Sequence, residues 1–134
     1  MEKNMLSRSK KMNLSISEIN MLEVINRKPI EGRLIGEIAS ELYITPSSVT
    51  IAINKLEKKG YVTRKRGSTD ARCVYVQLTD LGKRADRIHK RFHKSMAMSV
   101  SSGLTDDEKS ILLKCMRKMN DFLENKVKMM EAVR

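Results

Sequence analysis

The sequence lacks most of what announces an enzyme, a secreted domain or a membrane protein. No apolar run approaches the roughly 20 residues that a membrane span needs, and no signal-peptide pattern is visible. The two cysteines, Cys73 and Cys115, are far apart and form no C-x-x-C, so nothing points to a disulfide framework. Gly-rich phosphate loops, nucleophile elbows and paired carboxylates are missing, as are internal repeats and low-complexity tracts. The expectation is a cytoplasmic protein with reduced thiols, not an enzyme, holding no cofactor and no metal.

Positive charge is what the chain has in excess. Its 134 residues carry 27 lysines and arginines against 16 acids, a net charge of +11. Lys55 to Arg72 holds seven cations and two acids, and Lys83 to Lys94 holds six cations and one acid. Leu14 to Asn54 is net negative. Charge focused in this way points to a polyanion or an anionic surface. The plainer alternative is a generally basic, soluble protein. A hydrophobic content of 40% suffices for one domain, or one domain plus helices that need a partner to bury them.

The chain is organised around Thr45 to Lys59, TPSSVTIAINKLEKK. Thr45 is suited to cap a helix by accepting an orphan N–H of the first turn. Pro46 fits the first helical position, where a missing N–H costs nothing. Val49, Ala52, Ile53 and Leu56 recur at helical spacing and form one buried stripe. The opposite face carries Ser47, Ser48, Ile51, Asn54, Lys55 and Lys58, and Thr45 and Thr50 are counted with this DNA-facing set. A merely solvated helix is usually filled with glutamate and lysine. Short hydrogen-bonding groups followed by cations suit the major groove of double-stranded DNA instead. The stretch is expected to be a recognition helix.

Before it, Ser15-x-x-Glu18 is a capping box opening a helix through Ile19, Leu22 and Ile25 that ends near Lys28. Pro29 to Arg33 is expected as a loop. Leu34 to Tyr43 has helical spacing, and only Ile44 separates it from the Thr45 cap, which is the helix-turn-helix pattern. Gly60 is placed to end the recognition helix. Tyr61 to Arg66 and Cys73 to Leu78, joined by the turn-rich Gly67 to Arg72, predict a hairpin. A basic hairpin directly after a recognition helix is a wing. Arg64, Lys65, Arg66 and Arg72 are placed to reach the DNA backbone or a neighbouring minor groove, and Asp70 to steady Arg72 by a charge-assisted bond. The bland reading of these arginines is a solvated edge strand kept from aggregating by charge.

Thr79 caps the next helix, with an apolar seam of Leu81, Ala85, Ile88, Phe92 and Met96 and a polar side of Lys83, Arg84, Arg87, Lys90, Arg91 and Lys94. Ser101 to Gly103 breaks it. A second capping box, Thr105 to Glu108, opens a helix running to about Glu131. That helix has two apolar stripes, one through Leu112, Cys115, Met119 and Phe122, the other through Leu113, Met116, Leu123, Val127 and Met130. A small monomer has trouble burying both, and a homodimer with a shared helical core solves the problem. It also sets two recognition helices on a two-fold axis, matching an inverted-repeat operator. The fold class expected is mainly α with a small β-hairpin. A short tail or helix stub occupies 1–14, a winged helix-turn-helix DNA-binding domain 15–80, and a helical dimerisation region 79–134.

This order of elements resembles the MarR family of bacterial repressors. Leu56-Glu57-Lys58-Lys59-Gly60-Tyr61-Val62 is similar to that family's L-E-x-x-G-Y/L-I/V, and Asp70-x-Arg72-x(5)-Leu78-Thr79-x-x-Gly82 to its wing signature. The resemblance covers roughly residues 15 to 130. It implies a winged helix with an α-helical dimerisation region, Arg72 in the minor groove and Asp70 steadying it. Within the family, Arg87-Ile-His-Lys-Arg-Phe-His-Lys-Ser-Met96 resembles the fatty-acid-biosynthesis repressor (FabT-type) branch. That branch represses fatty-acid synthesis operons with long-chain acyl–acyl-carrier protein as corepressor. The implied ligand and carrier-binding residues are Ile88, His89, Lys90, Arg91, Phe92, Lys94 and Met96. The cations suit an acidic carrier, and methionine suits a pocket for variable acyl chains. The bland alternative is ordinary core beside a solvated basic face. One departure is the first helix: the family has a full helix ahead of Ser15, contributing to dimer and pocket, where this sequence has a short basic stretch.

Other readings are weaker. His89 and His93 at i, i+4 have the spacing of a metal pair, but no third ligand is evident and cations surround them. Cys73 has basic neighbours that favour thiolate chemistry, yet oxidant-sensing relatives place the reactive cysteine in the first helix. Two rival functions stand beside the lipid-responsive repressor. One is a MarR-type repressor of efflux or stress genes released by small aromatic ligands. The other is a non-specific nucleic-acid-coating protein.

Overall fold

The structure, a computed structural model, describes residues 12–133. The expected N-terminal tail or stub therefore lies outside the described residues except for Met12, Asn13 and Leu14. In chain order the elements are α1 (Ile16–Ile25), β1 (Arg33–Leu34), α2 (Ile35–Leu42), α3 (Pro46–Lys58), β2 (Val62–Arg66), β3 (Val74–Leu78), α4 (Asp80–Ser102) and α5 (Asp106–Ala132). No helix among the described residues is long and apolar enough to cross a membrane.

The caps sit where the sequence places them. Ser15 Oγ accepts the Glu18 N–H and the Glu18 carboxylate accepts the Ser15 N–H, at 3.2 and 2.9 Å. Burial acts to raise the Glu18 carboxyl, but the Ser15 N–H and Lys59 outweigh it and hold it below its ordinary value. The helix α1 stops at Asn26 rather than near Lys28, its end tightened by bonds from Arg27 N to Val24 O and Lys28 N to Ile25 O. The helix α2 ends on Tyr43 in the left-handed conformation, φ 53°. Ile44 N then bonds Ala39 O, so the chain turns into α3 within two residues.

One element was invisible in the sequence. The wing is part of a three-stranded antiparallel sheet in the order β1-β3-β2, rather than an isolated hairpin. Arg33 pairs with Val76 and Leu34 with Tyr75, while Val62 to Arg66 run against Leu78 to Val74. Two residues carry no alternation from which to read a strand. Gly32 at φ +79° makes the turn that delivers them, and a Cβ there would lie 2.8 Å from Val76 O.

Leu22, Ile25, Ile38, Val49, Ile53, Leu56 and Val76 are fully buried and form the centre of one core. Each such side chain contributes about 1.5–3 kcal/mol by leaving water. The stripe of α3 is thus buried as expected, in one core with residues of α1 and α2, with Ala52 at its margin.

The face of α4 that enters this core differs from the expected apolar seam. Gly82, Ala85, Asp86 and His89 are its buried residues, whereas Leu81 and Met96 are exposed and Ile88 and Phe92 half-buried. The reason is polar pairing across elements. Asn26 Nδ2 donates to the fully buried Asp86 Oδ2 at 2.6 Å, and Lys90 Nζ lies 2.8 Å from the same oxygen. Buried polar groups are tolerated when paired, and such pairs leave no trace in hydrophobic periodicity.

The chain divides into two compact units between His93 and Lys94, inside α4. In the second unit α5 opens on the Thr105–Glu108 capping box and has no buried residue. Both of its apolar stripes are uncovered.

Candidate nucleic-acid interface

Thr45 Oγ1 accepts the Ser48 N–H at 3.2 Å and meets Ser48 Oγ at 2.9 Å, so both hydroxyls secure the start of α3. Thr50 Oγ1 donates to Pro46 O at 3.0 Å. These bonds set the first turns while leaving Ser47, Ile51, Asn54, Lys55 and Lys58 on the exposed side. Ile51 is 60% exposed, an apolar side chain in water amid polar ones. A thymine methyl is the kind of partner that suits it.

At the other end, Gly60 N bonds Glu57 O and Tyr61 N bonds Leu56 O, and φ +83° at Gly60 swings the chain into β2. The wing loop is tied by its own backbone, with Gly67 N to Cys73 O at 2.8 Å and Cys73 N to Asp70 O at 3.1 Å. Asp70 Oδ1 accepts the Arg72 N–H at 2.9 Å, and Arg72 Nε lies 4.0 Å from that oxygen. Asp70 thus meets Arg72 through the main chain, where the sequence expectation was a charge-assisted bond to the guanidinium. Lys65 and Arg66 are exposed on β2.

Arg64 behaves differently from its neighbours. Its Nη1 donates to Glu57 Oε1 at 2.7 Å and its Nη2 to Asn54 Oδ1 at 2.6 Å. The sequence places this side chain to reach the DNA backbone or a neighbouring minor groove; in the structure its guanidinium ties the wing to α3. Glu57, an acid on an otherwise polar and basic helix, gave no signal of that role.

The tract singled out on α4 is split. Lys90, Arg91 and Lys94 are exposed, but His89 is 6% exposed and turned to the core, with Nε2 3.6 Å from Glu23 Oε2 and 3.0 Å from His93 Nε2. Burial, reinforced by His93, pushes the His89 imidazole below its ordinary value. His89 is therefore placed as a buried contact and not on a docking face. A cleft of about 610 Å³ is lined by Met12, Leu81, Arg84, Arg87, Ile88 and Arg91, together with Ala85. Of the expected ligand residues Ile88 and Arg91 line it, joined by Arg84 and Arg87, since residues 84, 87, 88 and 91 share a helix face. Among the described residues no group of three or more His, Cys, Asp or Glu is arranged to hold a metal ion. Cys73 Sγ lies 3.9 Å from Asp70 Oδ2 and Cys115 is exposed.

The family model for the MarR family matches residues 14–74, which span α1, the helix-turn-helix and the Asp70–Arg72 wing loop. The HTH-type transcriptional regulator YkoM of Bacillus subtilis (strain 168) is 32% identical over 112 residues, 82% of this chain and 70% of its own. YwaE of the same organism is 36% identical over 95 residues, 70% of this chain. The chain spans about half of YwaE's length, 53%. Streptococcus pneumoniae FabT in complex with DNA has a similar structure, with a TM-score of 0.80 and 35% identity over 84% of this chain and 77% of FabT. With α1, the capped recognition helix and the wing loop inside the matched region, and YkoM 32% identical over 70% of its own length, this chain belongs to the MarR family of DNA-binding transcriptional regulators, which are not enzymes.

Proposed function

We propose that the chain is a sequence-specific transcriptional repressor, working as a homodimer on an inverted-repeat operator and controlling fatty-acid biosynthesis genes with acyl–acyl-carrier protein as corepressor. The observation that carries the DNA reading is the uncovered face of α3 beside an exposed, self-tied wing arginine. The N-terminal turns of α3 supply Ser47 and Ile51 to base edges, and Lys55, Lys58, Lys65 and Arg66 supply positive charge to phosphates. The uncovered stripes of α5, including Leu112, Met119 and Phe122, support a shared dimer core. The lipid assignment is supported by the Arg87 to Met96 resemblance and the 35% identity to FabT. The cleft on α4 adds an apolar wall, Leu81 and Ile88, beside three arginines suited to an acidic carrier or headgroup.

Fluorescence anisotropy at physiological salt tests the proposal. The probe is an inverted-repeat duplex from a fatty-acid synthesis promoter, titrated with and without long-chain acyl–carrier protein. Tighter binding with the acylated carrier, and not with the unacylated one, is the expected result. Operator-specific binding that ignores the carrier overturns the lipid assignment and leaves a MarR-type repressor of other genes. Equal binding to a scrambled duplex, with steep salt dependence on both, overturns the repressor reading in favour of a coating protein, because a repressor keeps roughly 10³-fold or more preference for its operator.

A further inference from the structure

We infer that Arg64 sets the base preference of α3 by fixing the Asn54 amide as a donor, a deepening that rests on α3 being the DNA-reading helix. Arg64 Nη2 donates to Asn54 Oδ1 at 2.6 Å, and Nη1 donates to Glu57 Oε1 at 2.7 Å. A guanidinium has five N–H donors and no acceptor. Only the oxygen of an amide can face it, which removes the usual ambiguity between the two amide atoms. Asn54 and Glu57 lie one turn apart on α3, so both acceptors meet the same guanidinium. Asn54 is exposed, and with its oxygen committed to Arg64 it offers its NH₂ group to any ligand.

The consequence is a change of preferred base. A free asparagine reads adenine with two bonds, donating to N7 and accepting from N6. Held by Arg64, Asn54 has its oxygen aimed at the guanidinium and away from the side-by-side pose that adenine needs, so its NH₂ is the group turned to the DNA. Guanine suits this state, because O6 and N7 both accept, whereas adenine would turn its N6 amino group toward another donor. Arg64, with its charge balanced by Glu57, acts as a positioning residue for Asn54 and not as a phosphate contact.

Selection from a randomised duplex pool at physiological salt, using the full chain, tests this. The wild type is expected to enrich guanine at one position per half-site, and Asn54→Ala to lose that preference by about tenfold, within the range that base-edge contacts supply. Arg64→Met releases the amide, and the same position is expected to move to adenine. Asn54→Asp keeps an acceptor for Arg64 but presents a carboxylate, so guanine is expected to give way to cytosine, whose N4 donates. Preferences retained at other positions report that each variant is folded. Adenine at the Asn54-dependent position of the wild type overturns the inference alone. So does guanine unchanged in Asn54→Ala, or in both Arg64→Met and Asn54→Asp, while other positions are still read. A wild-type pool that enriches no sequence overturns the repressor reading beneath it.

Discussion

Asp70 accepts the backbone N–H of Arg72 at 2.9 Å while the arginine side chain stands 96% exposed on the wing loop. The carboxylate holds the loop by a main-chain bond, with Arg72 Nε 4.0 Å from the same oxygen. An ion pair this exposed adds little stability.

Arg72→Ala is expected to weaken operator binding by about 1–3 kcal/mol, read by anisotropy. Lys109→Ala, on α5 and outside the wing, should change it by less than about 0.5 kcal/mol. Equal losses would remove Arg72 from the interface. Asp70→Ala is expected to fall between the two, because Arg72 keeps its charge but loses its restraint.

Buried His89 makes the fold sensitive to acid. Its folded value is lowered, first by burial and then by His93 and Lys90, against the opposing pull of Glu23 and Asp86. The unfolded chain then binds more protons than the folded one, so stability is fully present above about pH 6.5 and lost as pH falls through the lowered folded value. Urea unfolding at pH 7.5 and pH 5 should show the loss in wild type. His89→Leu should flatten the dependence in that window, and an unchanged slope would assign it to the carboxylates.

Two glycines should respond to alanine in opposite directions. A Cβ at Gly82 would lie 2.1 Å from Tyr61 O, where backbone must shift. Gly82→Ala is expected to destabilise by about 1–3 kcal/mol or more. A Cβ at Gly36 meets nothing within 4 Å on α2, so Gly36→Ala should stabilise by about 0.4–1 kcal/mol. Thermal unfolding of the pair decides it, and a neutral Gly82→Ala would contradict the close packing of α4 on the Tyr61 carbonyl.

Reversal of one cleft charge separates ligand response from DNA binding. Arg91 is exposed and lines the α4 cleft with Ile88. Arg91→Glu should leave carrier-free operator affinity within about twofold, as expected of a charge outside the interface, while abolishing the tightening by acylated carrier. A full response in the variant would place the acidic partner elsewhere.

Local chemistry alone determined much of this protein. Ser15, Thr45 and Thr105 announce three helix starts, Gly60 announces an end, and the Val49–Ile53–Leu56 stripe announces which face is buried. Each depends on groups within one or two turns of each other, so residue type and spacing suffice. The Asp70–Arg72 contact is legible for the same reason, its partners being two residues apart.

Tertiary structure decided what rests on distant partners. The strand Arg33–Leu34 exists because β3 supplies its hydrogen bonds. Asp86 and His89 are buried where Glu23 of α1 and Asn26 at its C-terminal end meet them from some 60 residues away, overriding an apolar seam drawn from periodicity. Arg64 links the wing to α3 because the hairpin brings it against Asn54 and Glu57. A side chain's type tells what bonds it can make; only the fold selects which of them it does make.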